Sequence, residues 1–383
     1  MLRFMTAGES HGPELTVILD GVPAGLSIDA AHDLDPDLRR RQAGHGRGKR
    51  QQIESDSARI TAGVRGGVTL GSPVALTVVN RDWDNWKGPM QVEADGFSKK
   101  PVTRVRPGHA DLAGILKYDL ADARDVLERA SARETAARVA AGGVAKALLR
   151  VAGVSISSHV VRIGDVVAAE TAVDQRVVES SPVRCADAVA GARMVAAIDA
   201  ARAAGDTLGG TAVVAAHDVV AGLGSYAQWD RRLDGRIAQA MCSIPSVKGV
   251  EIGDAVEAAA TPGSRVHDRP AFSEQRGFHH LSNRQGGLSG GVSNGEDVWT
   301  RVHFKPISTL LTPLRSVDVH TGEEANAHYE RSDICVVPAG AVVAEAMLAL
   351  VLAHALLEKF GGDSVAELRR NLDGYRATLG RLR

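Results

Sequence analysis

Residues 339–357 are almost wholly apolar, broken by Glu345 and His354 and followed by Glu358-Lys359. A helix that is apolar on every side is buried either in protein or in lipid. The internal charges and the missing interfacial aromatic belt make a core helix, not a membrane span, the expectation. Short alternating or β-branched runs at 16–19, 74–79, 154–161, 212–216 and 298–303 predict strands. Segments 124–150, 188–203, 229–241, 339–360 and 364–379 predict helices. The strands cluster in hairpin-like runs and do not alternate strictly with helices, which favours α+β over a doubly wound parallel sheet. Two antiparallel sheets covering a layer of apolar helices would bury the 339–357 segment on all sides. Segments 81–104, with Trp83-Asp84-Asn85-Trp86, and 261–287 exceed ordinary connection lengths and read as site covers or disordered excursions.

The two halves echo each other. Gly8-Glu9-Ser10-His11-Gly12 is matched by Gly205-Asp206-Thr207-Leu208-Gly209, and at the same offset Ala24-Gly25-Leu26 meets Ala221-Gly222-Leu223. The expectation is one domain over 1–383 with approximate halves 1–150 and 200–360, related by a pseudo-two-fold internal duplication.

Composition narrows the classes. Lys+Arg of 45 against Asp+Glu of 46 leaves a net charge of −1, so no global field favours nucleic acid or an anionic membrane. Aromatics are only 4%, and the core must be built from Ala, Val, Leu and Ile. Cys185, Cys242 and Cys335 are far apart without metal-ligand spacing, which fits reduced thiols in a cytoplasm, and no metal site is expected. The N-terminus shows no export-signal pattern.

Two motifs set an imidazole among small residues: Gly8-Glu9-Ser10-His11-Gly12 and Arg106-Pro107-Gly108-His109-Ala110-Asp111. Each reads either as a histidine in a tight turn or as a reactive group close to a ligand. Segment 39–50 holds six Lys or Arg and no acid, with Gly44, Gly46 and Gly48 between them. It reads as a solvated basic loop or as a cradle for a compact polyanion. Arg129, Ser131 and Arg133 at the mouth of a helix form an anion site or a capped, ion-paired helix start. Lys305-Pro306-Ile307-Ser308-Thr309 offers an ammonium and two hydroxyls, and the glycines around Gly290 offer unhindered N–H groups. Asp333, before the apolar helix, reads first as a cap. Residues 8–12 also satisfy G-x-S-x-G, but too little chain precedes them for a hydrolase elbow and its partner order is missing.

The chain resembles the chorismate synthase family along its whole length. The resemblance rests on GESHG at 8–12, RPGHAD at 106–111, RASARETAARVAAG at 129–142, GDTLGG at 205–210, KGVEIGD at 248–254, KPIST at 305–309 and RSDIC at 331–335. It implies a β-α-β sandwich, a homotetramer, and anti-1,4 elimination of phosphate from 5-enolpyruvylshikimate 3-phosphate to give chorismate. Reduced FMN would be required without net redox change. By the same resemblance His11 would protonate or hydrogen-bond the flavin and His109 would assist phosphate departure. Ser10 and Ser131 would relay protons, and Asp333 would work with the flavin N5 in removing the ring proton. The flavin would lie against Arg129, Ala130, Ser131, Pro245, Ser246, Gly290, Lys305, Pro306, Ile307, Ser308, Thr309 and Arg331. Arg41 and Arg47 match positions assigned to a pyridine nucleotide, with NADPH as a reductant. Pro245-Ser246 departs from the family pattern, which has an amide-bearing residue and Ala there, and Ser332 stands where histidine is frequent. Nothing resembles an added reductase domain, so an external flavin reductase is expected. The competing classes are an FMN-dependent oxidoreductase and a non-catalytic anion-binding protein.

Overall fold

The computed structural model describes residues 1–48, 55–169 and 172–379. Strands β1 (Arg3–Ala7), β2 (Glu14–Asp20), β3 (Ala58–Ala62) and β4 (Val74–Val79) form one sheet in the order β1-β2-β4-β3. A second sheet contains β5 (Ser155–Ile163), β6 (Val166–Val167), β7 (Gly210–His217), β8 (Val247–Ile252) and β9 (Val298–Phe304), in the order β8-β9-β7-β5-β6. All these pairings are antiparallel. The two-residue alternation sets the register. In β9, Val298, Thr300, Val302 and Phe304 are buried while the residues between them are half-buried. A slip of one residue would turn that apolar set outward.

The principal helices are α1 (Asp35–Gln42), α2 (Asp111–Tyr118), α3 (Ala123–Ala130), α4 (Thr135–Val151), α5 (Ala188–Ala203), α6 (Leu233–Cys242), α7 (Val337–Phe360) and α8 (Val365–Leu379). Helix α4 packs along α7; α4 also lies on β2 and β4, and α7 lies on β5 and β7. The molecule is thus a mixed α+β structure. By length and composition α7 could cross a membrane, but 89% of its most apolar stretch is inside the protein. It begins with Pro338 in its first turn and stops at Gly361, whose φ of 59° is costly for other residues. Small residues let the two central helices close on each other. A Cβ on Gly142 of α4 would lie 2.3 Å from that of Ala346 in α7.

Several expectations are corrected. The helix expected over 124–150 is divided into α3, a 3-10 turn at Ala132–Glu134, and α4. Ser131 between them is extended (φ −64°, ψ 143°), and its hydroxyl accepts from the Arg133 N–H. A serine bonding to nearby backbone competes with helix continuation. Segment 229–241 likewise opens with a 3-10 turn, Trp229–Arg231, before α6. Segment 261–287 contains a short helix, Gly263–Val266, and a hairpin of Pro270–Ser273 with Gly277–His280. Arg39, Arg40 and Arg41 belong to the last turn of α1, not to a basic loop. Leu38 is the only long apolar side chain in that helix, so no amphipathic stripe announced it. Lys49 and Arg50 lie outside the described residues.

Candidate active site

The turn after β1 places Ser10 and His11 against α3. The Ser10 N–H donates to the Glu128 carbonyl at 2.9 Å, and the His11 N–H donates to Glu128 Oε2 at 2.9 Å. His11 Nδ1 lies 2.9 Å from Oε1 of the same carboxylate, which Arg124 also holds at 3.0 Å. Trp86, from the long 81–104 segment, stacks on His11 with ring centroids 3.9 Å apart, and Lys100 lies 3.8 Å from the Trp86 centroid. This segment is therefore a cover over the imidazole. Burial works against ionisation of Glu330, yet His328, with Arg124 and His11, brings its carboxyl down to about 2.

The second imidazole is held in a parallel way. His109 Nδ1 lies 2.5 Å from Asp111 Oδ1, and Asp111 is completely buried. Arg106 grips that carboxylate through Nε at 2.8 Å and Nη2 at 3.0 Å. Despite burial, the hydrogen bonds and charges of His109 and Arg106 hold Asp111 well below the usual carboxylate range. Arg106 Nη1 also donates to Thr309 Oγ1 at 3.2 Å, and Ser308 Oγ donates to the Gly108 carbonyl at 2.8 Å. Lys305 Nζ donates to Ser308 at 3.0 Å. Burial, with Lys248 nearby, pushes the Lys305 amine below its ordinary value.

Asp333 accepts from Arg47 at 2.5 Å and from the Gly48 N–H at 2.6 Å. Glycine is required for this approach, because a Cβ at position 48 would stand 2.5 Å from the Ser332 carbonyl oxygen. Arg41 and Arg133 share the buried Asp56, at 2.9 and 2.5 Å. Burial, assisted by the charges of Arg133 and Arg47, draws Arg41 down to about 10 even with Asp56 beside it. The Nε atoms of Arg41 and Arg47 are buried without hydrogen-bond partners. Ser246 adopts a left-handed φ of 73°, uncommon for a non-glycine residue. Its carbonyl accepts from the Lys305 N–H at 2.8 Å.

These groups surround one cavity of about 360 Å³. Ser10, His11, His109, Ser131, Lys305 and Asp333 all line it, with Leu127, Ile244, Val336 and Val343 as an apolar wall. Arg41, Arg47, Ala130, Pro245, Ser246, Ile307, Ser308, Thr309 and Arg331 line it too. Arg129, Pro306 and Gly290 do not. The Arg129 guanidinium instead donates to the Gly8 and Thr6 carbonyls, so Arg129 and Arg133 do not aim together. Gly290 occupies the turn between Leu288–Ser289 and Val292–Ser293, near Tyr226. Glu128 as a partner of His11 and Asp111 as a partner of His109 were not foreseen from the sequence, whereas Trp86 belongs to the 81–104 segment that reads as a site cover. Glu128 is 117 residues from His11, and no periodic signal links the two.

Two carboxylate-backed imidazoles line a cationic, partly apolar cleft, an arrangement suited to acid–base chemistry on anionic small molecules. The family model for chorismate synthase matches residues 2–357. A chorismate synthase of Moorella thermoacetica is 56% identical over 99% of this chain and 99% of the relative. Those of Desulforudis audaxviator and Geobacter sulfurreducens are 56% and 52% identical, the matches covering 100% and 98% of this chain and 98% of each relative. A crystal structure of chorismate synthase superposes with a TM-score of 0.79 at 41% identity, covering 99% of this chain and 98% of that one. The chain belongs to the chorismate synthase family.

Proposed function

We propose that this cleft carries out the family's elimination, converting 5-enolpyruvylshikimate 3-phosphate to chorismate and phosphate. The C–O bond to phosphate breaks, a ring C–H loses its hydrogen, and a new ring double bond forms with no net redox change. The supporting observation is the gathering of two imidazoles, Lys305 and several arginines around one cavity in a protein of net charge −1. Lys305 and Arg41 are held below their ordinary values mainly by burial, so an anion in the cavity would favour their charged forms.

The residues fit reduced FMN. An apolar wall suits the ring system, and the unpartnered Arg41 and Arg47 Nε atoms are buried donors in a site for anions. When bound, reduced flavin supplies electron density that assists loss of phosphate and is not consumed. The residues that would hold it are Ala130, Ser131, Pro245, Ser246, Lys305, Ile307, Ser308, Thr309 and Arg331; for Arg129, Pro306 and Gly290 the cleft offers no such support. His109 donates a proton or hydrogen bond as phosphate departs, and His11 maintains the protonation of the flavin. Ser10 and Ser131 relay protons. Asp333, oriented by Arg47 and Gly48, is assigned to loss of the ring proton.

The proposal extends to a cytoplasmic homotetramer of single-domain chains, each a β-α-β sandwich of two related halves. Two antiparallel sheets, one beside each of the long helices α4 and α7, support that architecture. An external reductase supplies reduced FMN, and NADPH is not a sufficient reductant. An oxygen-free assay with substrate decides between dithionite-reduced FMN and NADPH with oxidised FMN. Conversion only with pre-reduced flavin is expected. Conversion with NADPH alone would place reduction in this chain, and NADPH consumption without chorismate would make it an oxidoreductase.

A further inference from the structure

Both imidazoles of the cleft are backed by the same device, an arginine-clamped carboxylate that does not itself line the cavity. Around Glu128, Oε2 accepts from the His11 N–H at 2.9 Å and Oε1 accepts from Arg124 at 3.0 Å. His11 Nδ1 is within 3.0 Å of both oxygens. Around Asp111, Oδ2 accepts from the Arg106 backbone N–H at 3.1 Å and its Nε at 2.8 Å, while Oδ1 accepts from Arg106 Nη2 at 3.0 Å. His109 Nδ1 stands 2.5 Å from that Oδ1. The side chains of Glu128 and Asp111 are 1% and 0% exposed, so water cannot replace these donors.

An ionised carboxylate only accepts, which makes each Nδ1 the hydrogen-bearing ring nitrogen. Arg106 Nη2 also lies 3.0 Å from His109 Nδ1, but a guanidinium and an N–H cannot both donate across that gap. The hydrogen bonds of His109 Nδ1 and Arg106 Nη2 therefore run to Asp111, and the same Nη2 stands 3.4 Å from His109 Nε2. Each carboxylate is paired with a buried arginine, Glu128 with Arg124 and Asp111 with Arg106, so it orients the ring without taking its proton.

We infer that Glu128 and Asp111 are positioning residues that hold His11 and His109 in the Nδ1–H tautomer, so that each ring exchanges protons in the cleft through Nε2. The inference rests on the acid–base roles proposed above for the two histidines. It treats the pairs as one device used twice: the stack of Trp86 on His11 adds orientation at one ring only.

The test replaces each carboxylate by its amide. In Glu128→Gln an NH2 group faces either Arg124 or the His11 N–H, whichever way the amide turns, and Asp111→Asn meets the same conflict at Arg106. Ring 15N shifts of histidine-labelled protein, assigned with His11→Gln and His109→Gln, report the tautomers. The wild-type protein is expected to show Nδ1–H at both rings. Glu128→Gln should alter only the His11 ring and Asp111→Asn only the His109 ring. Each should lower kcat by about 10²- to 10⁴-fold, the range of mis-set tautomers and lost acid–base catalysis, with little change in affinity for reduced FMN. Nε2–H rings in the wild-type spectrum would overturn the inference without any variant, even if the variants fail to fold. Unchanged spectra with wild-type kcat in folded variants would overturn it while the elimination stands. A wild-type protein that does not convert the substrate would sink the proposed function and leave the tautomer result to be judged alone.

Discussion

On the proposed function, Lys305 is the cation whose setting bears most closely on the binding of an anion. Its ammonium is partly buried, bonded to Ser308, and pushed below the ordinary lysine value by burial with Lys248 nearby. Lys305→Met is expected to weaken binding of a phosphate-bearing ligand by about tenfold or more, the loss of one charge-assisted hydrogen bond. Calorimetric titration of the variant measures it, and an unchanged Kd would remove Lys305 from the anion site. The sign of the pH effect follows from the lowered value. The protonated form is lost at lower pH than for an ordinary lysine, so wild-type affinity should begin to fall earlier on the alkaline side, and Lys305→Met should lack that component. At this scale His11, His109 and the cations were legible because their motifs are local. Glu128 was not, since a buried partner reached across 117 residues leaves no mark in a single sequence. Arg129 stands in an equally clear motif, and its guanidinium donates to the Gly8 and Thr6 carbonyls.

Between elements, the contact of α4 with α7 sets the distance across the middle of the molecule. Gly142→Ala should force the helices apart at Ala346, with a cost of about 1–3 kcal/mol from overpacking. A fall in Tm of several degrees would show this, and an unchanged Tm would mean that the helices yield freely. Glu345, completely buried on α7, bonds Arg40 at 2.8 Å, Lys146 at 2.6 Å and Ser158 at 2.6 Å. Although burial opposes ionisation, Lys146, Arg40 and Arg184 hold its carboxyl well below the usual range. A depressed folded value means its stabilisation is present above the unfolded value near 4.5 and is lost as pH falls through the folded one. Glu345→Gln should destabilise the protein by about 3–5 kcal/mol at neutral pH, because buried cations lose their partner. Its stability in urea should also respond less to acid than that of the wild type, and an equal response would refute the role. The sequence exposed Glu345 as the charge that argued against a membrane span. It could not show the three basic side chains that come from other elements. Long elements such as α7 were legible because a sustained apolar run marks them, whereas α1 and the break at Ser131 were hidden by a missing apolar stripe and a side-chain cap.

For the whole molecule, the matching motifs span both halves of the chain, and folding brings Ser10, His11, Ser131, Lys305 and Asp333 onto one cavity. Such convergence was legible only as shared chemistry; the distances that make two imidazoles a matched pair came from the fold. On the proposed function these groups act together on one anionic substrate. Single-turnover phosphate release from the anaerobic complex of protein, reduced FMN and 5-enolpyruvylshikimate 3-phosphate, compared between wild type and His109→Ala, decides whether they do. One phosphate and one chorismate per cleft are expected, with the flavin still reduced. His109→Ala is expected to form the same complex but to release phosphate about 10²- to 10⁴-fold more slowly. Release at the wild-type rate by His109→Ala, or flavin oxidised in step with product, would contradict the proposed function.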